Sequence, residues 1–180
     1  MPNAAPADAP ADAPADAVAK LEADHDRVEA LFDQLKQTDE ASTRKLGVHV
    51  CNLVKIHMAL EEELFYPALR GKPAADEDKL DEGLVEHDAG KLLLNDVLAD
   101  PGQDKLAAKL QVLGEQMEHH HKEEEDPEKG VFAMARKAGV DLVAMLRAME
   151  RREAELRGEC AEGDLPASEM NFVAVDATPD

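Results

Sequence analysis

Two stretches of this 180-residue chain put an imidazole and a carboxylate four residues apart: His57 and Glu61 in HMALEEELFYP, and His120 and Glu124 in HHHKEEED. On an α-helix four residues make about one turn, so each pair stacks on one face. A single pair of this kind is ordinary on a solvated helix. Here the same order and spacing recur inside otherwise apolar repeats, alongside His25 in LEADHDRVEALF and His87 in EHDAGKLL. Nitrogen and carboxylate donors gathered on faces that should be buried form the donor set of a metal centre.

Alternating 3-4 spacing, the pattern of a helix face that packs on its neighbours, indexes four seams. They read Leu21, His25, Val28, Phe32, Leu35; then Val50, Val54, His57, Glu61, Leu64; then Leu80, Leu84, His87, Lys91, Leu94, Leu98; and finally Leu106, Leu110, Leu113, Met117, His120, Glu124. Each is apolar apart from one His, with Glu61, Glu124 and Lys91 added one turn on. Burying a neutral polar group unpaired costs roughly 2–7 kcal/mol, and a carboxylate more. Coordination to a metal offsets that cost. Phase also sorts the triplet 119–121. His120 continues the run of its helix and Glu124 follows it, whereas His121 and Glu125 lie about 100° round. His119 and His121 are therefore expected to be flanking surface residues. His49 is out of phase with His57 and is expected at the surface or behind the ligands.

Four imidazoles and two carboxylates are too many for one tetrahedral zinc. They suit two six-coordinate ions, each with two His, sharing both Glu and one oxo or hydroxo oxygen and keeping a position for an outside ligand. The mixed donors favour two iron ions, with manganese second. There is no HExxH zinc-protease motif. The order His then Glu at i,i+4 also differs from the Glu-x-x-His of ferritin-like di-iron bundles.

The elements that must hold these groups are helices. Composition is rich in Ala, Leu, Glu and Lys, and breakers divide the chain into segments of about 16–37, 41–66 (stopped by Pro67), 76–99 and 103–126 (stopped by Pro127). A short piece, VFAMARKAG, follows, and Asp141 is placed to cap a last helix to about 158. The expected fold is all-α: an up-down-up-down four-helix bundle with an additional C-terminal helix. Residues 1–16, carrying Pro at every fourth position, read as a disordered Ala/Pro/Asp-rich arm, residues 17–158 as the bundle, and residues 159–180 as an acidic tail.

Charge narrows the partners. With 20 Lys+Arg against 40 Asp+Glu, net −20, the chain argues against nucleic acid and anionic membranes, and its sparse aromatics argue against base stacking. No apolar run is long enough to span a bilayer, and no signal peptide is legible at the N-terminus. Cys51 and Cys160 form no CxxC pair, so no disulfide framework is expected and a cytoplasmic location fits.

Taken in order, LEADHDRVEALF, HMALEEELFYP, EHDAGKLL and EHHHKEEED resemble the hemerythrin family, in particular the bacterial hemerythrin-like HHE cation-binding domains, over about residues 18–157. The resemblance implies a non-haem di-iron centre with His25, His57, Glu61, His87, His120 and Glu124 as ligands. It also implies a protein that binds O2, NO or peroxide in oxygen or redox sensing or stress response. The alternatives are a di-iron enzyme that decomposes peroxide, or an iron-binding or storage bundle acting through a protein partner on its acidic tail. Oxygen-carrying members have His-x-x-x-His on the third helix and a carboxylate five residues after the His of the fourth. Here Lys91 stands in the second His position and Glu124 is four after His120. Lys91 either packs its stem on the seam with its ammonium snorkelling out, or sets a positive charge near an open metal position that favours anions.

Overall fold

The computed structural model describes residues 13–102, 104–162 and 167–172. All the regular elements among them are helical: α1 (Ala17–Leu35), α2 (Glu40–Leu60), a π-helical turn (Glu61–Phe65), α3 (Tyr66–Leu69), α4 (Glu77–Ala99), α5 (Leu106–Glu124), α6 (Val131–Lys137) and α7 (Leu142–Glu162). Aspartates start most of the long ones. Asp16, Asp39 and Asp76 accept hydrogen bonds from the backbone N–H groups of Ala19, Ser42 and Lys79, and Asp141 accepts from Ala144, as its sequence position suggested. Such caps contribute about 1 kcal/mol each. α5 lacks one. It starts at Leu106, later than expected, because Lys105 takes a left-handed backbone with φ 68°.

Helix α1 packs on α2 and α5, and α4 packs on the same two, which closes the square of an up-down-up-down bundle. α7 lies outside against α1 and α2, and α6 folds back on α5. The interior holds two apolar clusters. One gathers Val18, Leu21, Leu60, Phe65, Leu80, Phe132 and Met149. The other gathers Val28, Phe32, Val54, Leu94, Leu113 and Met117. His25 lies in sequence between Leu21 of the first and Val28 of the second, and His87 between Leu80 and Leu94. The polar layer is thus flanked by apolar material on both sides, which shields it from bulk water.

The structure corrects one helix end. The second helical segment was expected to stop at Pro67, but it continues through the π turn and α3 to Leu69. In an unbroken α-helix the Pro67 ring would crowd the carbonyl one turn back. The π turn resets the register, with the Tyr66 N–H reaching back five residues to the Glu61 carbonyl. It also shifts the buried face: Phe65, Tyr66 and Leu69 are buried, and Leu64, a predicted seam residue, is only half-buried. Of the terminal segments, the arm expected over 1–16 falls mostly outside the described residues, as do 163–166 and 173–180 of the tail. α7 runs to Glu162, beyond the expected end near 158. No helix among the described residues is long and apolar enough to cross a membrane. Cys51 and Cys160 are unpaired, and burial pushes the Cys51 thiol up to about 12.

Candidate metal centre

The six residues singled out by helical phase converge from four helices and the π turn. His25 (α1) and His57 (α2) face each other, Nε2 to Nε2, at 3.1 Å. His87 (α4) and His120 (α5) do the same at 3.0 Å. The two pairs share one geometry, with ring centroids 4.7 Å apart and planes at 64° in both. The carboxylates lie between the pairs. Glu61 Oε2 is 3.1 Å from His57 Nε2 and 3.3 Å from His87 Nε2. Glu124 Oε2 is 3.5 Å from both His25 Nε2 and His120 Nε2. All six side chains are buried.

These close approaches are not satisfied hydrogen bonds. Both Glu61 oxygens and Glu124 Oε2 are buried without a hydrogen-bond partner. The imidazoles show why. A carboxylate has lone pairs only, so a ring nitrogen bonded to one must carry the proton. His87 Nδ1 donates to Glu62 at 2.9 Å, His120 Nδ1 to Glu86 at 2.7 Å, and His25 Nδ1 to Glu125 at 2.7 Å. In the neutral rings the Nε2 atoms of His87 and His120 then present lone pairs to one another and need a cation between them, and His25 presents its Nε2 lone pair to His57. Two nitrogens at right angles, each about 2.1 Å from one ion, would stand about 3.0 Å apart. The donor set therefore fits one metal ion between the two rings of each pair.

Without metal, protons must fill this role. Burial alone would push Glu61 up, but the positive charges of His57 and His87 beside it hold it well below its ordinary value. Glu124 is driven well above its own, by burial and by the neighbouring Glu61 charge. His57 is pushed up to about 10, because Glu61 and Asp24 together outweigh burial. Metal and protons thus compete for the same atoms.

Sequence phase did not anticipate the carboxylates behind the imidazoles. Each comes from a helix other than that of the ring it faces. Asp24 of α1 lies 3.8 Å from His57 Nδ1, Glu62 of the π turn serves His87 of α4, Glu86 of α4 serves His120 of α5, and Glu125, just past α5, serves His25 of α1. The signal lay in doublets: an acid directly before His25 and His87, and directly after Glu61 and Glu124. Where they accept a hydrogen bond, from His25, His87 and His120, such partners fix the tautomer and raise ligand basicity; Asp24 is beyond hydrogen-bond reach, and His57 Nδ1 has no hydrogen-bond partner.

Three further residues differ from expectation or were not foreseen. His121, expected at the surface, is buried. It points to the side of α5 that α1 covers, where its ring stacks on His25 at 3.7 Å and 6° and its Nδ1 meets Glu29 at 3.2 Å. Burial, with the charges of His57 and His120, pushes it down to about 2. Its ring nitrogen lies near enough to His25 and His57 to join them around an ion. Parallel rings, however, set their lone pairs side by side instead of converging, so His121 supports His25 by stacking. Lys91 neither snorkels nor presents a free charge. It is buried, and its ammonium meets Glu62 at 2.8 Å and Asp88 at 3.2 Å, which offsets its charge. Tyr66 was not foreseen at all. Its hydroxyl donates to Glu124 Oε1 at 2.6 Å, and its ring stacks on His87. Five residues along an α-helix point about 140° away from the start, and the wider π turn brings Tyr66 back onto the face of Glu61. Gly83 makes room for it, since a Cβ there would stand 2.8 Å from the Tyr66 hydroxyl. His119 and His49 are exposed, as expected.

The described part of the tail docks beside this network. Asn95 and Ser168 exchange two hydrogen bonds of 2.8 Å, and the buried Asp88 accepts from the N–H groups of Asn171 and Phe172 at 2.8 and 2.6 Å. A continuous path then runs from the tail through Asp88, Lys91 and Glu62 to His87.

No curated protein and no solved structure matches the chain. A family model does, that of the hemerythrin HHE cation binding domain, over residues 16–135, a span that contains all six convergent side chains. By that match the chain belongs to the hemerythrin family, as a cation-binding helical bundle.

Proposed function

We propose that the chain is a non-haem di-iron protein whose His/Glu centre binds O2, NO or peroxide, in oxygen or redox sensing or stress response. One observation carries the reading: two imidazole pairs of equal geometry, with a buried carboxylate between them on either side whose Oε2 has no hydrogen-bond partner. One pair would suit one ion. Two pairs joined by two carboxylates suit two ions, with His25 and His57 on one, His87 and His120 on the other, and Glu61 and Glu124 on both. The mixed donors favour iron, with manganese second. Bound there, iron supplies redox chemistry and coordination positions open to a small ligand. The chain holds the Nε2 lone pairs inward through the outer carboxylates, keeps bulk water away with its apolar clusters, and keeps a proton on Tyr66 beside Glu124. Metal analysis of protein grown with iron should return close to two irons per chain, and the oxidised protein should show a near-ultraviolet band that azide shifts. One zinc and no iron would sink the reading.

Tyr66 favours a second reading, a peroxide-decomposing enzyme. In the reaction 2 H2O2 → 2 H2O + O2 one peroxide is oxidised and the other reduced, so protons must be moved within the site. Burial and the Glu124 and Glu61 charges hold the Tyr66 phenol well above its ordinary value, so it stays a donor. Oxygen evolution from peroxide, slowed in Tyr66→Phe at unchanged iron content, would support this. An iron-loaded protein that evolves no oxygen would exclude it.

A further inference from the structure

One cluster of donors lies outside the buried centre and touches it only through Glu86. His119 and Glu123 stand one turn apart on α5, and Glu86 faces them from α4. His119 Nε2 lies 3.8 Å from Glu86 Oε1 and 3.6 Å from Glu123 Oε1. These separations are too long for hydrogen bonds. They are close to the roughly 3.4 Å between ligands each about 2.1 Å from one tetrahedral ion, and the three atoms fall together within 4.8 Å. Each carboxylate is oriented by its other oxygen. Glu86 Oε2 accepts from His120 Nδ1 at 2.7 Å, and Glu123 Oε2 accepts from Lys79 at 3.1 Å. Lys79 is drawn outward as well, toward Glu82 at 2.9 Å. The two remaining oxygens and the imidazole therefore share a gap at the protein surface, with His119 largely exposed. This is more than a run of surface acids, because it pairs an imidazole with two carboxylates that are already held in place.

We infer that Glu86, His119 and Glu123 form an outer site for one divalent cation of the iron, manganese or zinc class, a staging point for ions bound for the buried centre. Its donors, one nitrogen and two oxygens with positions left for water, suit a labile ion in transit. Glu86 joins the two sites: one oxygen faces the outer gap and the other holds His120. The acidic surface, net −20 overall, draws cations toward it. The staging role rests on the buried centre being a metal site, but the outer site itself does not.

The test uses the iron-loaded protein. Crystals soaked in Zn2+ and measured at the zinc and iron absorption edges separate an outer zinc from inner iron. A zinc peak within bonding distance of the three side chains is expected. It should vanish in His119→Ala and in Glu123→Gln while the iron peaks stay, because neither residue faces the buried centre. In solution, His119→Ala should bind one equivalent fewer Zn2+, or bind it at least tenfold more weakly. Metal-free protein supplied with limiting Fe2+ should load several-fold more slowly in His119→Ala and reach the same final content. No zinc peak at this place, or one that survives in His119→Ala, would overturn the site. Equal loading rates would overturn its staging role. If the buried centre holds no iron, the proposed function fails on the iron edge, and the zinc edge still decides the outer site.

Discussion

Replacing Glu62 by Gln tests whether the carboxylates behind the imidazoles tune the centre or merely fill space. Glu62 accepts from His87 Nδ1 at 2.9 Å and from Lys91 Nζ at 2.8 and 2.9 Å. A glutamine has one acceptor oxygen. Whichever way its amide turns, its NH2 faces either the imidazole N–H or the ammonium. Two losses follow. His87 keeps at best a neutral amide acceptor in place of the carboxylate that raises its basicity, and loss of such a partner typically costs 10–100-fold in metal affinity, about 1.4–2.7 kcal/mol. Lys91 loses one of its two carboxylates. Breaking a buried pair costs about 3–5 kcal/mol. Lys91 keeps Asp88, and the Glu62 side chain retains 18% exposure, so about 2 kcal/mol is expected here. Burial would raise Glu62, but His87 and Lys91 hold it below its ordinary 4.5. A depressed carboxylate stabilises the fold above its unfolded value and loses that contribution as pH falls below it. The acid limb of the metal-free stability curve should therefore be shallower in Glu62→Gln.

The assay is urea unfolding of metal-free and iron-loaded protein, with chelator competition for affinity. Metal-free Glu62→Gln should lose about 2 kcal/mol, and the loaded form should lose more by the metal-affinity term. The neighbour Glu63 is the control. It pairs with Arg152 at the surface, with 43% of its side chain exposed, so Glu63→Gln should cost under about 1 kcal/mol and leave affinity unchanged. Equal losses in the two forms of Glu62→Gln, with affinity intact, would refute the tuning role and leave Glu62 a structural partner of Lys91.

Alanine at His25, His57, Glu61, His87, His120 or Glu124 should deplete metal as read by elemental analysis, whereas His121→Ala should keep it and lower stability by about 2–3 kcal/mol through the cavity beside His25. If His121→Ala empties the centre, its ring is a ligand and not a stacking neighbour. Gly83→Ala should destabilise the protein, because its new methyl meets the Tyr66 hydroxyl; Tyr66→Phe should relieve part of that cost in a double-mutant cycle, and additive effects would contradict the packing described. Ending the chain at Glu162 should cost about 1–3 kcal/mol, since Asp88 loses the Asn171 and Phe172 donors. Faster amide exchange in α4 around Asp88 should accompany it, and unchanged exchange there would show that the docked tail holds nothing.

The seam histidines were legible because a straight α-helix turns about 100° per residue and the apolar residues report its phase. That sufficed to place His25, His57, His87 and His120 on the faces that meet inside the bundle. It failed where the phase itself changes. The π turn begins at Glu61, so Tyr66 enters the seam, which no regular period could indicate. It failed again at His121. One residue from His120 is outside the seam by phase, yet α1 and α5 approach closely enough to bury it. The outer carboxylates were hidden for a third reason. Each acts on a ring from another helix, and a single-helix pattern carries no information on neighbours. Lys91 was placed correctly on its helix, but its ammonium direction depended on Glu62 and on Asp88, the residue that receives the tail.

The internal symmetry of the centre makes its asymmetry informative. Each half is built as an acid before a His on one helix, then His-x-x-x-Glu followed by an acid on the next. Asp24-His25 with His57 and Glu61-Glu62 repeats as Glu86-His87 with His120 and Glu124-Glu125. The ring geometry is equal in the two halves, although the backbone differs: Glu61 opens the π turn, whereas Glu124 ends α5. The surroundings differ as well. His25 is stacked between His121 and Phe132, so the first half is walled by flat rings. His87 has Tyr66 on one side and, through Glu62, the charge of Lys91 on another. If the centre takes a small ligand as proposed, one that needs a proton or a hydrogen bond would find its donor near the second half, and one that needs shelter would find it near the first. If the halves bind alike, Tyr66→Phe and His121→Ala should change azide affinity equally. The structure calls for unequal effects, with Tyr66→Phe the larger.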